Sequence, residues 1–200
     1  MGKPRQFTRR TGTRRYRKLF LVAAEGRETE RIYFEMLDLR TPAIVKVKPI
    51  RSTSASSPDK VLARMKKQLR KESLREGDEA WLVVDKDQWS DAQLKNLHEW
   101  SQKDERYNLA VSNPKFEYWL LLHFENGTRI ATSRQCSERL NRRWPDYAKS
   151  FASRKITAEM IDDAIRRAEE RDRPPRGDWP RLTGTTVYRL VQRILESGRS

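Results

Sequence analysis

Residues 18–40 read KLFLVAAEGRETERIYFEMLDLR, and the fold turns on how this stretch divides. KLFLVAA (18–24) has the length and apolar content of a buried strand. EGRETERIYFEMLDLR (25–40) changes period: Ile32, Phe34, Met36, Leu37 and Leu39 give a broad apolar helical face, and Glu28 and Glu30 suit a helix N-terminus. A strand that passes through Glu25-Gly26 into a helix is the opening of a β/α unit. The rest of the chain repeats it.

IVKVKPI (44–50) alternates apolar and basic residues, as a strand with one wet face at a sheet edge does. STSASSP (52–58) is a polar loop with N-cap candidates, and PDKVLARMKKQLRKES continues as a basic amphipathic helix. WLVVD (81–85) is a third strand, SDAQLKNLHEW (90–100) a helix and YNLAVS (107–112) a fourth strand. NPKFEYWLLLHF (113–124) is a helix with Asn113 as N-cap and Pro114 at the first helical position. Strict β/α alternation predicts a Rossmann-like, mainly parallel four-stranded sheet with helices on both faces. The remaining third is helical at about 133–143, 156–170 and 184–196, with RDRPPRGDWP (171–180) as a Pro-rich break. This makes one α/β domain over 18–200, a core of 18–125 with a helical extension of 126–200, preceded by a basic tail (1–17) expected to be disordered alone.

Charge is the strongest bulk signal: 43 Lys and Arg against 28 Asp and Glu, a net +15 over 200 residues. Such an excess favours a polyanionic partner, nucleic acid before an anionic membrane surface. Cys136 is the only cysteine, which excludes an internal disulfide and a Cys-based zinc site. With two histidines, no signal peptide and no membrane-length apolar run, the expected location is the cytoplasm.

Against that basic background, three strands end in acid or amide chemistry: Glu25-Gly26, Asp85-Lys86-Asp87 and Ser112-Asn113-Pro114. In an open parallel sheet, functional groups gather beyond the carboxyl ends of the strands. Asp85 and Asp87, two apart in extended chain, point the same way, and like charges that close call for a cation or a proton between them. Oxygen-only ligands suit Mg²⁺ or Mn²⁺. Glu25 is a candidate metal ligand or general acid/base, and Gly26 permits a tight turn and close approach of a phosphate. Glu117, set among the bulky apolar side chains of FEYWLLLHF, needs a partner: it is either a further site carboxylate or one neutralised by a nearby cation. Asn113 and His123 complete the candidate support groups, although a histidine in such a segment is first read as a packed one. Arg27, Arg31, Lys46, Lys48, Arg51, Lys60, Lys86 and Lys115 surround the acids in sequence and are candidate phosphate contacts.

Strand–Glu-Gly followed by strand–Asp-x-Asp on a β/α alternation resembles the Toprim catalytic domain of topoisomerases, bacterial primases and OLD-type nucleases. There the glutamate acts in proton transfer or on the metal, and the Asp-x-Asp binds Mg²⁺; the matching residues are Glu25, Asp85 and Asp87. FLVAAEGRETERIYF, VVDKDQW, SNPKFEYWLLLHF and GTTVYRLV, in this order, resemble the RloB family of small prokaryotic proteins over most of residues 18–196. That resemblance implies a Toprim-like fold and a Mg²⁺-dependent nuclease acting on DNA or RNA. It further implies an effector of anti-phage or abortive-infection defence, set beside an AAA- or ABC-type ATPase partner. Self-association is left open. Toprim enzymes often carry an acid a little after Glu-Gly; Glu28 is not clearly its equivalent, and no role is carried onto it.

The competing reading is a basic Toprim-like module that grips nucleic acid or a partner and cleaves nothing. A phosphatase of the haloacid dehalogenase type also uses Asp-x-Asp, but on its first strand and with a hydroxyl residue two after the second aspartate. Here the pair ends the third strand and Trp89 holds that place. A glycosyltransferase Asp-x-Asp would come with a nucleotide-sugar pattern that the sequence lacks.

Overall fold

A computed structural model of the chain describes residues 17–42, 44–51, 57–87, 89–145, 147, 156–175 and 177–199. The expected basic tail, but for Arg17, and the polar loop at 52–56 lie outside the described residues.

The order of elements is β1 (Lys18–Ala24), α1 (Thr29–Arg40), β2 (Val45–Ile50), α2 (Pro58–Leu69), β3 (Glu79–Asp85) and α3 (Asp91–Ser101). There follow β4 (Tyr107–Asn113), α4 (Phe116–Leu122), α5 (Ser133–Arg143), α6 (Ala158–Arg171), β5 (Gly184–Thr185) and α7 (Val187–Ser197). The expected α/β fold and its four parallel strands are present, in the order β2-β1-β3-β4, with β2 at an edge. A fifth, antiparallel strand, β5, extends the sheet beside β4. The helix expected over 184–196 therefore begins only at Val187, because Gly184 and Thr185 pair with Asn113 and Ser112.

Strand period places alternate residues on opposite faces. Phe20, Val22, Ala24, Trp81 and Val83 face one core with α1, α4, α5, α6 and α7. Leu21, Ala23, Leu82 and Val84 face a second core with α2 and α3. Burial on both faces explains why the central strands read as continuous apolar runs. The C-terminal helices are no appendage: Leu140, Ile161, Ile165, Leu190 and Ile194 belong to the same apolar cluster as α1 and α4.

Two polar devices fix the sheet's margins. At the β4–β5 edge, the Val111 N–H donates to Thr186 Oγ1 (2.9 Å), and the Ser112 and Thr185 hydroxyls lie 2.8 Å apart. At the amino edge, the buried Glu79 carboxylate takes two hydrogen bonds from Arg193 of α7 (2.8 Å each), one from the Trp81 indole (3.0 Å) and an ion pair from Lys18 (2.9 Å). Burial alone would raise the Glu79 pKa; the bonds from Arg193, Lys18 and Trp81 outweigh it and hold the carboxyl below its usual range.

The start of α4 differs from expectation. The Asn113–Pro114 peptide is cis, Asn113 still belongs to β4, and Lys115 occupies the N-cap position.

Candidate functional site

Strand order reverses between β1 and β3. The chain leaves β1 for β2 on one side and reaches β3 on the other. Helices that depart toward opposite faces leave a crevice at such a point: α1 packs against one core and α3 against the other. Glu25 directly follows β1 and Asp85 ends β3, so the acids expected on one rim meet at this switch point.

An open crevice of about 400 Å³ collects them. Glu25, Asp85, Asp87 and Glu117 line it together with Glu28 and Glu30, while Arg27 and Lys115 supply the facing cations and Gly26 and Thr29 the remaining wall. Glu25 Oε2 accepts the Asp85 N–H (3.1 Å), and both its oxygens accept the Trp89 indole N–H (2.9 and 3.1 Å). Asp85 Oδ1 accepts the Phe116 N–H at the start of α4 (2.8 Å). Asp87 Oδ2 accepts the Ser133 hydroxyl (2.7 Å). Glu117 Oε1 accepts the Tyr147 hydroxyl (2.7 Å), and Lys115 Nζ stands 3.9 Å from its other oxygen.

Crowding of carboxylates shows in their proton affinities. Burial pushes the Asp85 carboxyl well above the usual range, and the charges of Glu30, Glu117, Glu25 and Asp87 push it further. Burial raises Glu25 as well, against the hydrogen bonds from Asp85 and Trp89. Glu30 is raised to about 7, first by burial and then by the neighbouring Glu117. A hard cation among these oxygens would relieve the same repulsion. The donor set, carboxylate oxygens only, fits Mg²⁺ or Mn²⁺. Among the described residues no three His, Cys, Asp or Glu side chains are already gathered as a ligand set; each site carboxylate except Glu28 is held by a protein donor of its own.

Glu30 is the site carboxylate that sequence reasoning missed. It reads as a helix-start charge, yet it is 6% exposed and its carboxylate turns back to accept the Gly26 N–H (3.0 Å). Gly26 serves this approach: a Cβ there would lie 1.9 Å from Glu30 Oε2. The available signal was an acid four residues beyond Glu-Gly, in the first turn of the helix after the first strand. Trp89 and Tyr147 were missed too. Tryptophan reads as packing, and Tyr147 reaches Glu117 across 30 residues with no local mark.

Other expected site residues lie elsewhere. His123 is in the apolar core, with Nε2 3.1 Å from the Tyr33 hydroxyl and Nδ1 3.0 Å from the Trp119 carbonyl. Burial lowers its pKa to about 4, so it is a neutral packing group. Asn113 turns from the crevice and donates to the carbonyls of Pro180 and Arg181. Of the expected phosphate contacts, Arg27 and Lys115 face the crevice. Arg31, Lys46, Lys48 and Lys86 are instead engaged by Glu35, Asp38, Glu72 and Asp91. Lys46 and Lys48 lie along the edge strand beside Leu19 and Leu21, not at its carboxyl end. Lys60 and Arg51 are exposed, Arg51 just past β2.

No helix among the described residues is long and apolar enough to cross a membrane. No curated protein and no solved structure matches the chain. The family model described as RloB-like protein matches residues 20–194, which takes in the Glu25-Gly26 turn, both aspartates, α4, β5 and most of α7. The chain belongs to the RloB-like family.

Proposed function

We propose that this protein is a metal-dependent phosphodiesterase that cleaves nucleic acid, built on a Toprim-like catalytic core. The observation that carries the reading is the convergence of Glu25, Glu30, Asp85, Asp87 and Glu117 on one crevice at the sheet's switch point, in a chain of net charge +15. Carboxylates so placed suit a divalent cation, and the surrounding basic surface suits a polyphosphate backbone.

Asp85 and Asp87 would hold Mg²⁺ or Mn²⁺, with Glu25 beside them. When bound, the metal supplies Lewis-acid polarisation of a phosphate oxygen and charge neutralisation. The chain's own groups do the rest. Lys115 and Arg27, on the crevice wall, hold non-bridging phosphate oxygens in place. Glu25, raised by burial yet fixed by the Trp89 and Asp85 N–H groups, is placed to exchange a proton at its carboxylate. Glu30, raised to about 7, carries a proton part of the time at neutral pH when no cation is bound and so limits the charge packed into the crevice. The attacking group is water, or a ribose 2′-hydroxyl where the substrate is RNA. The family resemblance extends the proposal to an effector of prokaryotic defence acting with an ATPase partner.

The test is a cleavage panel over plasmid, single-stranded DNA, tRNA and rRNA, with and without Mg²⁺ or Mn²⁺. Wild type is compared with Asp85→Ala and Glu25→Gln, alone and with a candidate ATPase partner. Metal-dependent cutting lost in both variants supports the assignment. Equal cutting by all three removes it. Binding without cutting under every condition favours the non-catalytic module, for which the basic surface is the supporting observation.

A further inference from the structure

Pro180, the last residue of RDRPPRGDWP (171–180), a stretch that in sequence marks only a break between helices, lies against the end of β4. Asn113 tethers it there, its Nδ2 donating to the Pro180 and Arg181 carbonyls at 3.2 and 3.1 Å. Two adjoining hollows result, of about 470 and 500 Å³, with Arg171, Arg181, Leu182 and Thr183 as shared walls. Arg173, Pro174 and Pro175 extend one, and Ile130 and Ala131 the other.

The lining is of two kinds. Arg171, Arg173 and Arg181 are exposed. Arg171 Nε donates to a neutral group, the Asn126 carbonyl (3.0 Å), so that bond leaves its charge uncancelled. Arg181 lies over the Trp179 ring, 4.2 Å from its centroid, and pairs with Asp178. The acid in the wall, Asp172, is buried and matched by Arg189 (2.6 Å) and the Tyr188 hydroxyl (2.9 Å). Between the cations stand prolines and Leu182, which is 84% exposed. A small anion has no use for that apolar surface, and a duplex hides its base faces within the stack. A single strand offers both phosphates for guanidinium groups and base faces for apolar side chains.

Short stretches of chain connect the hollows to the acid crevice, although the two share no lining residue. Ala131, in one wall, is two residues from Ser133, whose hydroxyl holds Asp87. Ser112, next to Asn113, stands in register with Asp85.

We infer that this groove binds a single strand of nucleic acid, DNA or RNA, with Arg171, Arg173 and Arg181 on its backbone and Leu182 against a base, and leads it to the acid crevice. The last clause rests on the phosphodiesterase reading; the binding itself does not. None of these three arginines stands out in the sequence, where the basic residues near the acid motifs draw the eye.

The experiment uses the full chain and fluorescein-labelled single-stranded DNA and RNA 20-mers, followed by anisotropy in EDTA so that cleavage plays no part. Arg171→Gln, Arg173→Gln and Arg181→Gln are combined. A control triple of equal charge loss, Lys66→Gln, Lys67→Gln and Arg70→Gln, lies on the exposed side of α2 and just beyond it. The groove triple is expected to weaken binding at least tenfold and to flatten the log K against log salt slope by about 1.4–2, as two to three lost single-strand phosphate contacts would, Arg181 already sharing its charge with Asp178. Restoring the charges as Arg→Lys should recover most of the affinity, and circular dichroism checks the fold of each variant. Equal loss in the control triple, no loss in the groove triple, or tighter and equally sensitive binding of a duplex each overturns the inference. Groove-dependent binding by a protein that never cleaves with metal leaves the groove standing and removes the nuclease. Cleavage that survives the groove triple with unchanged affinity does the reverse.

Discussion

Gly26 is where a single methyl group would matter most. A Cβ there would collide with the Glu30 carboxylate, which would leave the Gly26 N–H and swing toward the acids it now sits beside. On the proposed function, Gly26→Ala is expected to fold but to lose metal-dependent cleavage by about 10- to 100-fold, the range for groups that orient metal-site residues; a steady-state assay checks it. Trp89→Phe keeps the ring and removes the donor to both Glu25 oxygens. A hydrogen bond to a charged group is worth about 1.5–3 kcal/mol, so kcat/KM should fall about tenfold or more. Because that bond lowers the Glu25 pKa against burial, its loss should also move the acidic limb of the pH–rate profile to higher pH. Glu25, Asp85, Asp87 and Glu117 were legible because acids at strand ends, or in an apolar segment, have few structural reasons to be there. Glu30 was not, because an acid in the first turn of a helix has an ordinary electrostatic reason. Only the turn at Gly26 aims it inward.

At the scale of elements, the central strands were legible from continuous apolar runs, and the edge strand β2 from its alternating lysines. The register of β5 was not. Its pairing joins Thr185 to Ser112 across 73 residues through hydroxyl groups, and a Gly-Thr pair before an amphipathic helix looks like a cap. Thr186→Val tests that edge. Valine matches threonine in shape but offers no acceptor, leaving the buried Val111 N–H unpaired. It is expected to destabilise by about 1–3 kcal/mol in urea denaturation, without effect on single-strand binding. The start of α4 was misplaced for a related reason. Asn-Pro reads as cap and first turn, whereas the Asn113 side chain is committed to the Pro180–Arg181 backbone.

For the whole molecule, two opposed sets of carboxylates shape stability against pH. Glu79 is held below its usual range, so its contribution is present above about pH 4.5 and is lost as pH falls through its folded pKa. Asp85, Glu25 and Glu30 are raised. The unfolded chain releases these protons from about pH 4 upward while the folded chain still holds them, so stability falls as pH rises; for Glu30 the window runs from 4.5 to about 7. The metal-free melting temperature should therefore decline between pH 5 and 7.5. Glu30→Gln should flatten the decline, by no more than about 3 kcal/mol. Mn²⁺ should raise the melting temperature more at pH 7.5 than at pH 5.5, where protons compete for the same oxygens; calorimetry at both values decides. The buried Glu79 has one more consequence, for the order in which the protein is made. Its two-pronged partner, Arg193, lies 114 residues downstream. On the ribosome, β1, β2 and β3 emerge long before α7, and burying that carboxylate with Lys18 and the Trp81 indole but without Arg193 is costly. The amino edge of the sheet is therefore expected to stay hydrated until the last helix arrives. A nascent chain stalled short of residue 187 should hold a collapsed, protease-sensitive sheet that locks only when α7 is released.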